Sequence, residues 1–207
     1  MKLIAHRGMS STNVENTYDA FVSALEHTEI DGIECDIRQT KDNVFVVMHD
    51  AFINRTTSGS GLVSNMTYSD LKKYNVLRLE EVLELTDDKI ILLELKDTRM
   101  GVEKFVKLVN EYQTKKIYVD SFYNDLMHKV IKCKPKFKVG ILNYVANSEK
   151  SYNEYDFVCL LKSVVTNNLL KFFFERNIEV FIYGFLDETK IVAEEQLIDK
   201  CYLIRDF

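Results

Sequence analysis

Residues 33–50, "IECDIRQTKDNVFVVMHD", join an alternating acidic and apolar run to a second apolar run through a short polar link. Glu34 and Asp36 are two apart, and residues two apart on a strand share a face. Ile33, Cys35 and Ile37 then occupy the opposite face, as expected of a strand covered on both sides. The segment "VFVVMHD" follows after only a few polar residues. A parallel crossover takes a dozen or more, so this segment must fold back as an antiparallel hairpin arm. A tight turn centred on Asp42-Asn43, a pair suited to tight turns, pairs positions whose numbers sum to 85. That register sets His49 directly opposite Asp36.

Outward from this stretch, short apolar runs alternate with amphipathic helical ones. "KLIA", "GIECDI", "KIILLEL", "KIYVDSF", "FKVGIL", "DFVCLL", "EVFIYGF" and "CYLIRDF" read as eight buried strands. Tyr18, Phe21, Val22 and Leu25 make one helix face, and Val102, Phe105, Val106 and Val109 another. Asn124 and Asp187 are candidate N-caps. Strand–helix alternation with two-sided apolar strands indicates a parallel sheet, and eight units indicate a small α/β barrel of the TIM type. It carries a β-hairpin arm after strand 2, a reduced insertion around "YSDLKKYN" and no final helix. The competing architecture is an open doubly wound sheet. With one proline, no internal repeat and no linker, residues 1–207 are expected to form a single domain.

Composition narrows the function classes. Net charge is −5, which gives nucleic acid no electrostatic support, so any phosphate ester must be held locally by a metal or a few basic side chains. No run is long enough for a signal peptide or a bilayer span, so no stable membrane insertion is expected. Cys35, Cys133, Cys159 and Cys201 are scattered without C-x-x-C spacing, as expected of reduced thiols in a cytoplasmic protein. Oligomeric state is not legible.

Glu94 and Lys96 in "LLELKD" repeat the two-residue spacing of Glu34 and Asp36 at the end of the third buried strand. On such a barrel the C-terminal strand ends form the active face. Three carboxylates meeting there repel one another unless a cation holds them, and hard oxygen donors favour one divalent cation, Mg²⁺ or Ca²⁺, over zinc. A single E-x-D is more often a solvated surface pair; two pairs ending buried strands beside histidines favour a metal site. His6 and Arg7 end the first strand, and Gly8 permits a sharp turn. Of the four histidines, His6 and His49 end strands near the carboxylates, whereas His27 and His128 fall on helices as surface residues. Two imidazoles can share general acid and base duties near neutral pH. Arg7 and Lys96 supply positive charge for a phosphate.

H-R-G at His6, E-N-T at Glu15, E-x-D at Glu34, H-D at His49 and E-x-K at Glu94 occur in the order found in glycerophosphodiester phosphodiesterases. The sequence resembles that family densely over residues 4–97 and more thinly beyond, where "DSF" at Asp120 is similar to the family's S-F. The resemblance implies metal ligands Glu34, Asp36 and Glu94, a catalytic pair His6 and His49, and phosphate contacts from Arg7 and Lys96. It also implies a small-molecule glycerophosphodiester substrate hydrolysed to glycerol phosphate and an alcohol, through attack by the substrate's own hydroxyl and a cyclic phosphate. Val14 replaces a usual proline, "FIYG" at Phe181 replaces W-T-V-N, and "IRD" at Ile204 replaces I-T-D. A phospholipase D-like or cell-envelope diesterase, or a binding barrel with weak turnover, are the competing readings.

Overall fold

A computed structural model describes residues 1–86, 88–146, 152–184 and 193–207. Eight parallel strands close into a barrel: β1 (Lys2–His6), β2 (Gly32–Gln39), β4 (Ile90–Leu95), β5 (Lys116–Asp120), β6 (Lys138–Asn143), β7 (Phe157–Leu161), β8 (Glu179–Tyr183) and β9 (Tyr202–Arg205). Closure comes from β1, which pairs with both β2 and β9. These are the eight runs expected from the sequence. Helices α1 (Tyr18–Glu26), α2 (Tyr68–Lys72), α3 (Leu79–Leu85), α4 (Val102–Val109), α5 (Asn124–Lys132), α6 (Asn167–Phe174) and α7 (Glu195–Ile198) follow along the chain. The α4 face buries Val102, Phe105, Val106 and Val109, as its spacing predicts, whereas α1 turns Ala20, Phe21 and Ala24 inward and leaves Tyr18 exposed, so its buried face is rotated from the expected one.

Each strand's alternation divides its side chains between two cores. Ile33, Cys35 and Ile37 of β2, and Ile91, Leu93 and Leu95 of β4, join the outer core between sheet and helices. The intervening positions point into the barrel, where Ile4, Leu92, Tyr118, Phe157, Phe181 and Tyr202 pack together. Phe181 stacks on Tyr202 with ring centroids 4.1 Å apart. Phe157 fits because Gly140 lies on the neighbouring strand: a Cβ there would come within 2.5 Å of the Phe157 ring. At the barrel base the Tyr118 and Tyr202 hydroxyls both donate to Glu179 at 2.9 Å, satisfying a carboxylate at the edge of an aromatic layer. The lower barrel is a packed plug, which leaves chemistry to the other end.

The hairpin differs from expectation by one residue. β3 (Phe45–Val47) pairs antiparallel with β2 as Ile37 with Val47, Arg38 with Val46 and Gln39 with Phe45, so partner numbers sum to 84. The loop is the three residues Lys41, Asp42 and Asn43, with Asn43 at φ +61°. Val44 N–H donates to Thr40 Oγ1 at 2.9 Å and closes it. A left-handed residue at the last loop position is the usual solution for a three-residue hairpin, and asparagine tolerates it. Asp36 therefore faces Met48, whose N–H donates to the Asp36 carbonyl at 2.9 Å. His49 lies one residue beyond. Two further expectations shift. Asn124 is the first helical residue of α5 rather than its cap, Tyr123 preceding it without a side-chain cap bond. Asp187 lies outside the described residues.

No helix among the described residues is long and apolar enough to cross a membrane. All four cysteines are free.

Candidate active site

Strand register brings the predicted residues to one rim. His6 pairs with Glu34 across β1 and β2. Asp36 pairs with Glu94 across β2 and β4, and Glu94 with Asp120 across β4 and β5. His6, Glu94 and Asp120 lie at or next to the C-terminal ends of their strands, and register sets Glu34 and Asp36 of the longer β2 beside them, so a parallel ladder converts separate short motifs into one constellation. Glu34, Asp36 and Glu94 present carboxylate oxygens within 4.8 Å of one another. Glu34 and Asp36 are buried.

The turn after β1 is built to serve this cluster. Arg7 adopts φ +55° and Gly8 φ +81°. A Cβ on Gly8 would come within 2.7 Å of the Ala20 backbone, so only glycine lets this turn pack on α1. The Arg7 N–H donates to Glu34 Oε2 at 3.0 Å. Its guanidinium meets Asp36 at 3.3 Å and Glu15 at 2.9 Å. Asn16, also left-handed at φ +59°, donates to Asp36 Oδ2 at 2.7 Å. Lys96 lies 2.7 Å from Glu94 and 3.3 Å from Asp36 Oδ1. Arg7 and Lys96, expected as phosphate contacts, thus rest on the carboxylates themselves.

Burial and mutual repulsion set the charges. Burial first, then Asp36 and Glu94, pushes the Glu34 carboxyl up to about 8. Glu94 is raised by burial and by Asp36. Burial also works against an ionised Asp36, but Lys96, Arg7 and the Asn16 bond outweigh it and hold that group below its ordinary range. One carboxylate is therefore fixed as an anion while its neighbours resist ionisation. Asp36 Oδ1 accepts no hydrogen bond from the described residues. An all-oxygen donor set, with one buried oxygen that is paired only with the Lys96 charge and accepts no hydrogen bond, fits a hard divalent cation.

Both predicted histidines reach the same cavity, of about 320 Å³, which they line with Arg7, Glu34, Glu94 and Lys96. Each has a carboxylate on Nδ1: Asp206 at 2.6 Å for His6 and Asp50 at 2.7 Å for His49. Nε2 of His6 lies 3.9 Å from Glu34. Burial opposes a charged His6, but the Asp206 bond and Glu34 prevail and raise its pKa. His49 is lowered, chiefly by burial with help from Lys96 and Arg7, against the pull of Asp36 and Asp50. Because the ladder does not carry His49, side chains do. Arg38 donates to the His49 carbonyl through Nε at 3.0 Å and Nη2 at 2.7 Å, and Asp97 holds Arg38 in turn. Arg55 then spans Asp50 at 2.7 Å and Glu15 at 2.7 and 2.8 Å. A continuous chain of ion pairs thus runs from Arg7 through Glu15 and Arg55 to Asp50, which is hydrogen-bonded to His49.

The far side of the cavity is apolar. Phe122 stacks on Tyr144 at 4.5 Å, and Tyr183 meets Phe122 edge-on at 6.4 Å, above Leu142, Cys159 and Leu161. A wider groove of about 570 Å³ at the opposite barrel end, lined by Lys115, Lys116, Lys136 and Lys138, holds none of the converging carboxylates.

A family model, the glycerophosphoryl diester phosphodiesterase family, matches residues 6–202. The chain belongs to that family. A glycerophosphodiester phosphodiesterase from Caldanaerobacter subterraneus subsp. tengcongensis is 35% identical over 161 residues, 68% of this chain and 65% of that protein. The match spans just under two thirds of that relative's length. Among solved structures, a glycerophosphodiester phosphodiesterase from Agrobacterium tumefaciens superposes with a TM-score of 0.79 at 20% identity, covering 99% of this chain and 96% of the other. An Oleispira antarctica phosphodiesterase in complex with the product sn-glycerol-3-phosphate superposes at 0.78 with 18% identity, covering 100% and 92%. These likenesses show the same barrel fold.

The partners Asp206, Arg55 and Asp120 are not singled out as site residues by sequence reasoning. Asp120 had a signal: it is two residues from Tyr118 on β5, and that spacing turns both inward. Asp206 had one as well, as the residue that "IRD" shares with the family's I-T-D; Arg55 had none of comparable strength, since it acts through a loop.

Proposed function

We propose that this chain hydrolyses glycerophosphodiesters to glycerol phosphate and an alcohol. One observation carries the reading: three carboxylates, two of them buried, converge within 4.8 Å, and the cavity lined by Glu34 and Glu94 also holds two histidines, each oriented by its own carboxylate. Family membership and the 35% identical relative's name support the substrate class. In this reading Glu34, Asp36 and Glu94 hold one divalent cation, Mg²⁺ or Ca²⁺. Such an ion neutralises phosphate charge and lowers the pKa of a coordinated hydroxyl. With those carboxylates so occupied, Arg7 and Lys96 would be free to meet the phosphate, Arg7 as a fork and Lys96 as a point charge.

The opposite shifts of the two imidazoles support a division of labour. His49, held neutral, accepts the proton of the glycerol hydroxyl next to the phosphate-bearing carbon. That oxygen bonds to phosphorus and the bond to the alcohol oxygen breaks. His6, whose imidazolium is favoured by Asp206, gives its proton to the departing oxygen. Water then opens the cyclic phosphate with the roles reversed. With the carboxylates occupied, Glu34 and Asp36 would pull less on the two rings, while Asp206 would still favour a charged His6 and Lys96 a neutral His49.

The test is turnover of glycerophosphocholine by purified protein, followed by release of glycerol phosphate. Activity with added Mg²⁺ or Ca²⁺, lost on chelation and restored by the ion, is the expected result. Undiminished turnover under chelation would remove the cation from the reading. Release of phosphocholine in place of choline would assign the cleaved bond to the wrong side of phosphorus.

A further inference from the structure

Asp120 is used by none of the steps above. Its side chain is 1% exposed, it lines the cavity, and its Oδ1 has no hydrogen-bond partner among the described residues. A buried polar oxygen left unpaired in a fold costs stability, and such a group persists most readily where a ligand completes it. Asp120 stands beside Glu94 in the β4–β5 ladder but outside the set of carboxylates that converge within 4.8 Å. It is one strand further round the barrel from the proposed cation site, a lateral step of about 4.8 Å. Below it on the same inward row is Tyr118, part of the packed plug, and above it is Phe122, part of the aromatic rim. Its backbone is fixed: the Ser121 hydroxyl donates to the Leu95 carbonyl at 2.6 Å and receives the Tyr123 N–H at 3.2 Å.

We propose that Asp120 recognises the glycerol part of the diester by hydrogen-bonding its terminal hydroxyl, so making this residue a determinant of substrate specificity. This rests on the phosphodiesterase reading and extends it. A phosphodiester held at Glu94 and Lys96 has two arms to place. The glycerol arm is short, polar and common to every substrate of the class, and it suits a fixed acceptor at the cavity floor. The alcohol arm varies, and it suits the open side, where Tyr144 is 61% exposed. A carboxylate accepts from a hydroxyl and a neutral carboxyl can donate to one, so the contact stands in either protonation state.

The experiment compares glycerophosphocholine with the phosphocholine diester of propane-1,2-diol, which lacks the terminal hydroxyl and keeps the one adjacent to the phosphate-bearing carbon. Wild type is expected to favour the glycerol diester by about 10- to 100-fold in kcat/KM, the range for one buried hydrogen bond. Asp120→Ala should bring that ratio close to one, with most of the loss falling on the glycerol diester. Asp120→Asn, whose amide still bonds a hydroxyl, should retain a good part of it. Melting temperature, and its rise on adding Ca²⁺, report whether each variant is folded with its cation site intact. An unchanged ratio in Asp120→Ala, or equal losses on both diesters, refutes the assignment while leaving the phosphodiesterase reading standing. Wild type inert on both diesters defeats that reading, and this one with it.

Discussion

Glu34→Gln offers a test of the electrostatics that needs no substrate. Glu34 is 3% exposed, and its carboxyl is pushed up to about 8 from 4.5, first by burial and then by Asp36. The folded protein therefore binds this proton more tightly than the unfolded chain does. Linkage then gives a stabilising contribution that is complete below pH 4.5 and is lost as pH rises through about 8. Each pKa unit corresponds to about 1.4 kcal/mol, so the ceiling is on the order of 5 kcal/mol above pH 8 in chelator. Glutamine keeps the shape and an oxygen for the Arg7 N–H but cannot ionise. In chelator at pH 8, Glu34→Gln should therefore melt higher than wild type, by at most about 10–20 °C at 2–4 °C per kcal/mol for a chain of this size. At pH 5 the gap should nearly close. Added Ca²⁺ should raise the wild-type melting temperature, because an ion that binds only the folded state stabilises it, and should do much less for the variant. The assay is thermal unfolding followed by circular dichroism at both pH values, with and without ion. A variant that melts lower than wild type in chelator at pH 8 would show that ionised Glu34 is a net structural acceptor, and the repulsion argument would be wrong.

His6→Ala and His49→Ala should each lower kcat by a factor of about 10²–10⁴, and the double variant should lose little more than the worse single one. A p-nitrophenyl diester, whose leaving group needs no proton, should restore turnover to the variant lacking His6 and not to the one lacking His49; the reverse pattern would exchange their roles. Arg55→Ala removes a cation from beside Asp50, which should raise the His49 pKa and move the acid limb of the kcat/KM profile to higher pH. Arg55→Lys should return the limb part of the way, and a limb that stays in place would reduce Arg55 to a loop fastener.

What the sequence reveals is whatever a strand's period controls. Glu34 and Asp36 share a face because they are two apart, and so do Glu94 and Lys96, which is why the cluster can be read before any coordinates are known. Geometry that depends on one torsion is less legible. Asn43 takes a left-handed conformation and lengthens the hairpin loop to three residues, so the ladder pairs Asp36 with Met48. A one-residue slip changes which residues are opposed. His49 nonetheless reaches the cavity, carried by Arg38 and by the Asp50–Arg55–Glu15 chain. Its presence in the site was legible but the route was not. The bond between Asp206 and His6 is hardest to foresee, since it spans 200 positions and forms only when β9 closes on β1.

The two halves of the barrel divide stability from chemistry. At the base, Tyr118, Phe157, Phe181 and Tyr202 fill the interior, and Glu179 is satisfied by two hydroxyls and Lys138. Nothing buried in that layer depends on a ligand. At the rim, Glu34, Asp36, Glu94 and Asp120 crowd together, and Arg7, Lys96, His6, His49 and Asn16 offset them in part. Such an arrangement opposes folding locally, and it persists because the outer helical core and the plug together supply a surplus. It follows that losing a rim carboxylate should leave the barrel folded, whereas truncating Phe157 or Phe181 should not. The same division explains why Gly140, far from any reacting atom, matters as much to this chain as Gly8 does at the site: one admits the ring that fills the plug, and the other shapes the turn that grips the carboxylates.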